Sequence, residues 1–246
     1  MKRLIWIPII ALALSTLACS VNFGGVGFRT VKGSGVIVSE ERKVSDFSKI
    51  SLSGFGNLYL EVGDEGALVI EAEDNFLEHI KTEVRGQTLE IKYSDYVSLQ
   101  PTESINYYLT VKELDDISIS GLGKVEIPEL QTSSLRVDIS GGGDININNL
   151  EADTLIISIS GLGKLDIAGG EVAEQRINIS GGGDYTADEL TSLNATVDIS
   201  GLGNAMVSVE DTLRVTISGG GSVKYIGNPE VTSDISGLGN INQIKE

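Results

Sequence analysis

The chain has 246 residues, 18 Lys+Arg against 35 Asp+Glu for a formal charge of −17, and only one Cys and one His. One Cys excludes a disulfide framework or a Cys-based zinc site, and one His leaves no material for a multi-His metal site. The charge has the wrong sign for a nucleic-acid partner, while a 41% hydrophobic content suits a folded chain of one large or two modest domains.

Met1-Lys2-Arg3 is a basic start, and Leu4 to Leu14 is apolar with one break at Pro8. That run falls short of the about 20 residues that span a bilayer, so residues 1–18 read as an export signal. Ala18-Cys19 resembles a bacterial lipobox, with Thr16 where Leu is usual. Cys19 is the expected lipidation site, which places the chain in the bacterial cell envelope, lipid-anchored, facing outward or into the periplasm. Residues 19–32 are expected to be a tether, with a first edge strand as the alternative.

Residues 33–115 are expected to form an N-terminal β capping region. ISLSGFGNLYLEV (50–62), ALVIEA (67–72), TLEIKY (88–93) and INYYLTV (105–111) alternate as strands do. DNFLEHI (74–80) is expected to be one short helix capped by Asp74.

From residue 116 the chain repeats. Ser-Gly pairs stand at Ser120, Ser140, Ser160, Ser180, Ser200, Ser218 and Ser236, spaced by 20 residues four times and then 18 twice. Their corners alternate between GLG and GGG, and Ile precedes every Ser. Glycine reaches positive φ at little cost, which suits sharp corners. Apolar residues alternate on both sides, as at Ile117, Ile119 and Val125, while Arg136, Asp138, Asn146, Asn148, Arg176, Asn178 and Asp198 occupy outward positions. A meander of hairpins and a parallel solenoid both fit. Columns of identical residues favour the solenoid, with one coil per 20-residue unit over residues 116–246. Seven coils at about 4.8 Å make a rod of about 34 Å.

The SG(L/G)G corners, with GSGVIVSEERKVSDFSKISLSGFGNLYLEVG (33–63) and TLEIKY, resemble the auto-transporter adhesin head GIN domain family over roughly residues 33–246. The resemblance implies a right-handed parallel β-helix, related in shape to pectin lyases without their catalytic residues, and a role in adhesion. It assigns no functional residues.

Asp144 and Asp184 follow the Gly-Gly-Gly corners and suggest calcium, a cation that takes oxygen ligands. Calcium β-rolls repeat at about nine residues, however, and here the period is 20. Lys124, Lys164, Asn204 and Asn240 occupy the alternate corners, where ion pairing or solvation explains them better. The Ser column reads as a hydroxyl ladder satisfying corner backbone groups. His79, among Glu73, Asp74 and Glu78, has no nucleophile beside it in sequence. Tyr93, Tyr96, Tyr107 and Tyr108 are either core or a sugar-stacking patch.

No cofactor, resident metal or catalytic constellation is expected. The leading expectation is a non-enzymatic, lipid-anchored, adhesin-like protein that presents a repetitive β surface to a glycan or a surface protein, with a homo-oligomer open. The alternatives are a cell-surface polysaccharide lyase or hydrolase of β-helix type, and an envelope scaffold for a membrane protein.

Overall fold

A computed structural model describes residues 29–245, and Cys19 with the export signal lies outside them. The columns seen in sequence become parallel β ladders. Ile117 pairs with Val137, Val137 with Ile157, Ile157 with Ile177, and Ile177 with Val197, always one unit apart. The chain is a β-solenoid, as the repeat predicts.

Its strands in chain order are β1 (Arg29–Lys32), β2 (Ile37–Arg42), β3 (Lys49–Ser53), β4 (Asn57–Val62), β5 (Ala67–Glu73), β6 (Ile80–Arg85), β7 (Thr88–Tyr93), β8 (Val97–Gln100) and β9 (Asn106–Val111). The coils continue with β10 (Asp116–Ile119), β11 (Lys124–Ile139), β12 (Asp144–Ile159), β13 (Lys164–Ile167), β14 (Gly170–Ile179), β15 (Asp184–Ile199), β16 (Ala205–Ile217), β17 (Ser222–Ile226), β18 (Glu230–Ile235) and β19 (Asn240–Gln243). Among the described residues no helix is long and apolar enough to cross a membrane.

Period-two alternation turns every second side chain inward. Ile119, Ile139, Ile159, Ile179, Ile199 and Ile217 are all buried, as are Val125, Ile145, Leu165, Tyr185 and Val223 beyond the corner. Apolar burial of this kind contributes about 25 cal/mol per Å². The column ends at the last coil, where Ile235 is 38% exposed and the Val position is taken by Ser233.

The corner glycines serve a different purpose from the one their sequence suggests. Positive φ occurs at the first corner, at Gly54 (144°) and Gly56 (126°), but not at the later Ser-Gly corners. There the constraint is close stacking. A Cβ on Gly161 would lie 1.8 Å from the Gly141 carbonyl oxygen, and one on Gly163 would lie 2.0 Å from that of Gly143. The middle position is roomier, since a Cβ on Gly182 would meet only Leu162 Cδ2, at 3.1 Å. Close approach lets the ladder run straight through each corner: Gly142 N donates to Gly121 O (3.0 Å), Leu162 N to Gly141 O (2.9 Å) and Gly182 N to Gly161 O (3.0 Å). The Ser N–H groups join it, as in Ser160 N to Ile139 O at 2.9 Å. The hydroxyl ladder expected of the Ser column shows at two corners, where Ser120 Oγ donates to Ser53 Oγ (2.9 Å) and Ser140 Oγ to Ile119 O (3.5 Å). Along the rest of the stack backbone groups satisfy one another across coils.

A further Ser-Gly corner, Ser53-Gly54 in the capping region, is the first coil of the same stack. Leu52 pairs with Ile119, Leu58 with Val125, and Leu122 N donates to Gly54 O (2.7 Å), although 67 residues separate Ser53 from Ser120. The intervening chain folds beneath it. β7 and β9 continue the parallel ladder under β3 and β4, and antiparallel β6, β5 and β2 then close that end. Tyr93 and Tyr107 fill the space under the first corner, which is why Gly54 and Gly56 have no room for a Cβ.

Two local expectations change. Residues 74–80 form only a 3-10 turn at Leu77–His79, with Phe76 at its N-cap and no side-chain cap bond. Asp74 instead accepts hydrogen bonds from Ser34 Oγ and Asn75 N. The last part of the tether segment is a strand: β1 pairs in parallel with β8, Arg29 against Val97 through Lys32 against Gln100. Glu73 pins the turn between β1 and β2. Buried to 1% exposure, its carboxylate accepts from Gly35 N (2.7 Å), Thr102 N (3.0 Å) and Thr102 Oγ1 (2.6 Å). The 18-residue spacing is absorbed within the strands: the β15–β16 register shifts between Ala187 and Thr191 and again between Ser192 and Asn194, and pairing resumes from Asn194 against Thr212 to Ile199 against Ile217.

Candidate binding surface

The outward face of the first coils carries a row set by register. Val69 pairs with Tyr108, Tyr108 with Tyr59, Tyr59 with Glu126, and Glu126 with Asn146. Outward residues one strand apart sit close enough for rings to meet. Tyr59 and Tyr108 stack with centroids 5.3 Å apart and planes 15° apart, and both stay open to solvent (39% and 44%).

Two residues along lies a parallel polar row. Asn106 Nδ2 donates to Glu71 Oε1 (2.9 Å), and Asn57 Nδ2 donates to Asn106 Oδ1 (3.0 Å). On the other flank Asn146 Nδ2 donates to Glu126 Oε1 (3.1 Å), and Lys124 forms an ion pair with Glu126. Burial alone would raise the Glu126 carboxyl, but bonds from Lys124 and Asn146 outweigh it and hold it below the usual range. Partial burial, with Glu71 and Tyr59 nearby, pushes the Tyr108 hydroxyl up, so it remains a donor at neutral pH. The surface therefore combines aromatic rings with amide, carboxylate, phenol and ammonium groups whose orientations are already fixed. Such a set suits a ligand with an apolar C–H face and several hydroxyls.

The four tyrosines singled out by sequence do not assemble into one patch. Tyr107 is fully buried, and Tyr93 packs edge-on against Phe55 (centroids 5.0 Å) while its hydroxyl donates to Phe55 O (2.6 Å). Burial pushes the Tyr93 hydroxyl up to about 12. Tyr96 is exposed at 57%, in the turn between β7 and β8. Tyr108 alone of the four joins the surface. Sequence reasoning misses its partner Tyr59, because the pairing of 57–62 with 106–111 spans the whole capping excursion. The one available signal is the outward position of Tyr59 between Leu58 and Leu60.

Asp144 and Asp184 lie two coils apart with Lys164 between them. Each cements the next coil. Asp144 Oδ1 accepts from Lys164 N (3.1 Å), and Asp184 Oδ1 accepts from Asn204 N (3.0 Å) and Nδ2 (2.9 Å). Among the described residues no group of three or more His, Cys, Asp or Glu is arranged to hold a metal. His79 Nε2 faces Glu78 Oε1 at 3.6 Å, and Ser94 reaches the His79 carbonyl rather than its ring.

Comparison with known proteins matches residues 46–229 to the family described as "Putative auto-transporter adhesin, head GIN domain". A structure described as a putative adhesin from Bacteroides fragilis is 24% identical with a TM-score of 0.83, covering 87% of this chain and 100% of its own. One from Parabacteroides merdae, also described as a putative adhesin, is 20% identical with a TM-score of 0.71, covering 87% of this chain and 99% of its own. A third, from Parabacteroides distasonis and described as a putative lipid binding protein, is 21% identical with a TM-score of 0.69, covering 88% and 100%. At these identities the likeness is one of fold. A search of curated proteins found no match.

Proposed function

The chain belongs to the auto-transporter adhesin head GIN domain family, and on that premise we propose that it is a non-enzymatic adhesin of the cell surface, anchored by lipid at Cys19, that binds a neutral glycan. The observation that carries the ligand class is the solvent-open Tyr59–Tyr108 stack, flanked by the bonded row of Glu71, Asn106 and Asn57. Sugar C–H faces pack on aromatic rings, and planar amides and carboxylates engage adjacent hydroxyls. A chain of −17 repels acidic polysaccharides, which favours neutral ones. The anchoring reading is supported by the export signal and by Cys19 being the only cysteine. The non-catalytic reading is supported by Ser94 Oγ donating to the His79 carbonyl and by the structural use of Asp144 and Asp184.

A glycan array probed with the purified protein tests the ligand class. Saturable binding to neutral glycans, lost in Tyr59→Ala and in Tyr108→Ala, is the expected result. Binding that survives both substitutions, or that requires acidic sugars, overturns it. Intact mass spectrometry of membrane-extracted protein tests the anchor, the expected species being a chain that starts at a diacylated Cys19.

A further inference from the structure

The GLG corners leave a feature that glycan binding does not use. Leu122, Leu162, Leu202 and Leu238 are 74%, 76%, 75% and 94% exposed, the four most exposed large apolar residues among those described. They stand in single file on one edge of the rod, one on every second coil, because the corner between each pair carries Gly142, Gly182 or Gly220. Two coils separate neighbouring leucines by about 9.6 Å, so the ridge runs for about 29 Å. Four leucines at corners that never contact one another do nothing for the core. A regular exposed apolar file is the mark of a surface that meets something apolar.

Two observations say what covers it. The first is where the chain leaves the described structure. Thr30 lines a shallow cleft with Phe55, Tyr93, Val97, Leu99 and Leu122, which places β1 at the start of the leucine ridge. The lock at Glu73, the bond from Arg29 N to Tyr96 O (2.7 Å) and that from Gly33 N to Gln100 O (3.0 Å) fix β1 there. Arg29 lies ten positions after Cys19, a reach of at most about 35 Å. A lipid on Cys19 thus keeps the bilayer within reach of this edge of the rod. The second observation is charge. The column beside the ridge reads Lys124, Asp144, Lys164, Asp184, Asn204, Ser222 and Asn240, which sums to zero in a chain of −17. The edge beside the ridge therefore carries no net charge to set against an anionic headgroup layer.

We infer that the leucine ridge is a membrane-contact edge: the rod lies along the bilayer with Leu122, Leu162, Leu202 and Leu238 in the headgroup–acyl boundary, and the Tyr59–Tyr108 face is turned toward solvent. This inference rests on the proposed lipid anchor at Cys19. The anchor supplies proximity, and the ridge sets orientation, since one acyl signal alone leaves an attached protein free to tumble.

The test uses the full chain, expressed with its export signal and reconstituted into phosphatidylcholine–phosphatidylethanolamine vesicles doped with brominated phosphatidylcholine. A Trp6→Phe background removes the only native tryptophan. One reporter is Leu202→Trp on the ridge. The other is Leu193→Trp, already exposed at 43% and nine residues away in a coil of about 20, hence halfway round the rod. The expected result is that both proteins float with the vesicles. The ridge reporter then loses most of its emission to bromine and shifts to the blue, while the Leu193→Trp reporter changes little. Flotation with equal quenching at both sites, or with none at either, overturns the ridge while leaving the anchor intact. Failure to float overturns the anchor and the ridge with it. A blue shift in the Leu202→Trp protein that depends on protein concentration and ignores bromine assigns the ridge to a second copy of the chain and also overturns the inference.

Discussion

Replacing Gly163 by Ala separates the two explanations for the corner glycines. If they were needed for positive φ, every glycine of a corner would resist substitution alike. If they are needed for close stacking, position matters. A Cβ on Gly163 would lie 2.0 Å from Gly143 O and 2.8 Å from Ile139 Cγ2, whereas carbons rarely come closer than 3.0 Å. The coils must therefore part by at least 1.0 Å at that corner. A separation of that size stretches Leu162 N to Gly141 O (2.9 Å) and Lys164 N to Asp144 Oδ1 (3.1 Å) beyond bonding range. Two lost bonds, polar groups left poorly solvated and loosened packing around Ile139 add up to about 3–5 kcal/mol. For Gly182→Ala the only close neighbour is Leu162 Cδ2 at 3.1 Å, the tip of an exposed side chain that can swing aside. That substitution is expected to be neutral, or to stabilise by about 0.5 kcal/mol through a stiffer unfolded chain. Urea titration followed by circular dichroism reads the difference directly. Equal midpoints for the two variants would refute the stacking account.

The core and the cap give three further expectations. Ile179→Asp puts a carboxylate at a fully buried position and is expected to cost more than about 4 kcal/mol, so an unchanged melting curve would contradict the register. Tyr185→Phe removes the hydroxyl that donates to buried Gln175 Oε1 (2.6 Å) and should cost about 1–2 kcal/mol, measured by the shift in urea midpoint. At Glu73, burial works to raise the carboxyl pKa, but bonds from Thr102, Gly35 and Glu103 prevail and hold it below its usual 4.5. A pKa depressed by folding means that the stabilisation is complete above about pH 4.5 and disappears as pH falls through the lower folded value. Protection of the β1 and 33–36 amides, measured as exchange relative to the intrinsic rate at each pH, should therefore fall on acidification, while Glu73→Gln should show low protection at every pH. Protection factors at these sites that stay constant with pH in the parent protein would count against the lock.

The solenoid is legible in the sequence because its cause is local. Ile at each corner and alternation around it, as at Ile177 and Ile179, are fixed by which face each side chain must bury. The glycines are equally visible, yet their reason is not. A clash between Gly161 and Gly141 exists only once coils stack, so the sequence suggests φ where the structure shows contact. The cap is least legible. DNFLEHI has a helical look, but Phe76 and Ile80 are drawn into the core, and Asp74 bonds to Ser34 rather than capping a helix. Tyr59 and Tyr108 belong to distant segments, so their stack has no local signature. The Leu file can be read from the GLG corners, but not its exposure, which depends on the corner pointing away from the core.

The alternation of GLG with GGG corners also limits how such a chain can lengthen. Leu122, Leu162 and Leu202 each project over a glycine in the next coil, and Lys and Asp alternate beside the corners from Lys124 to Asp184. Duplicating the Lys164 coil alone would set Leu directly over Leu and Lys over Lys, a like-charge neighbour. Duplicating two coils preserves both alternations. Within the 20-residue coils, growth by 40 residues is thus the step that leaves every neighbour unchanged.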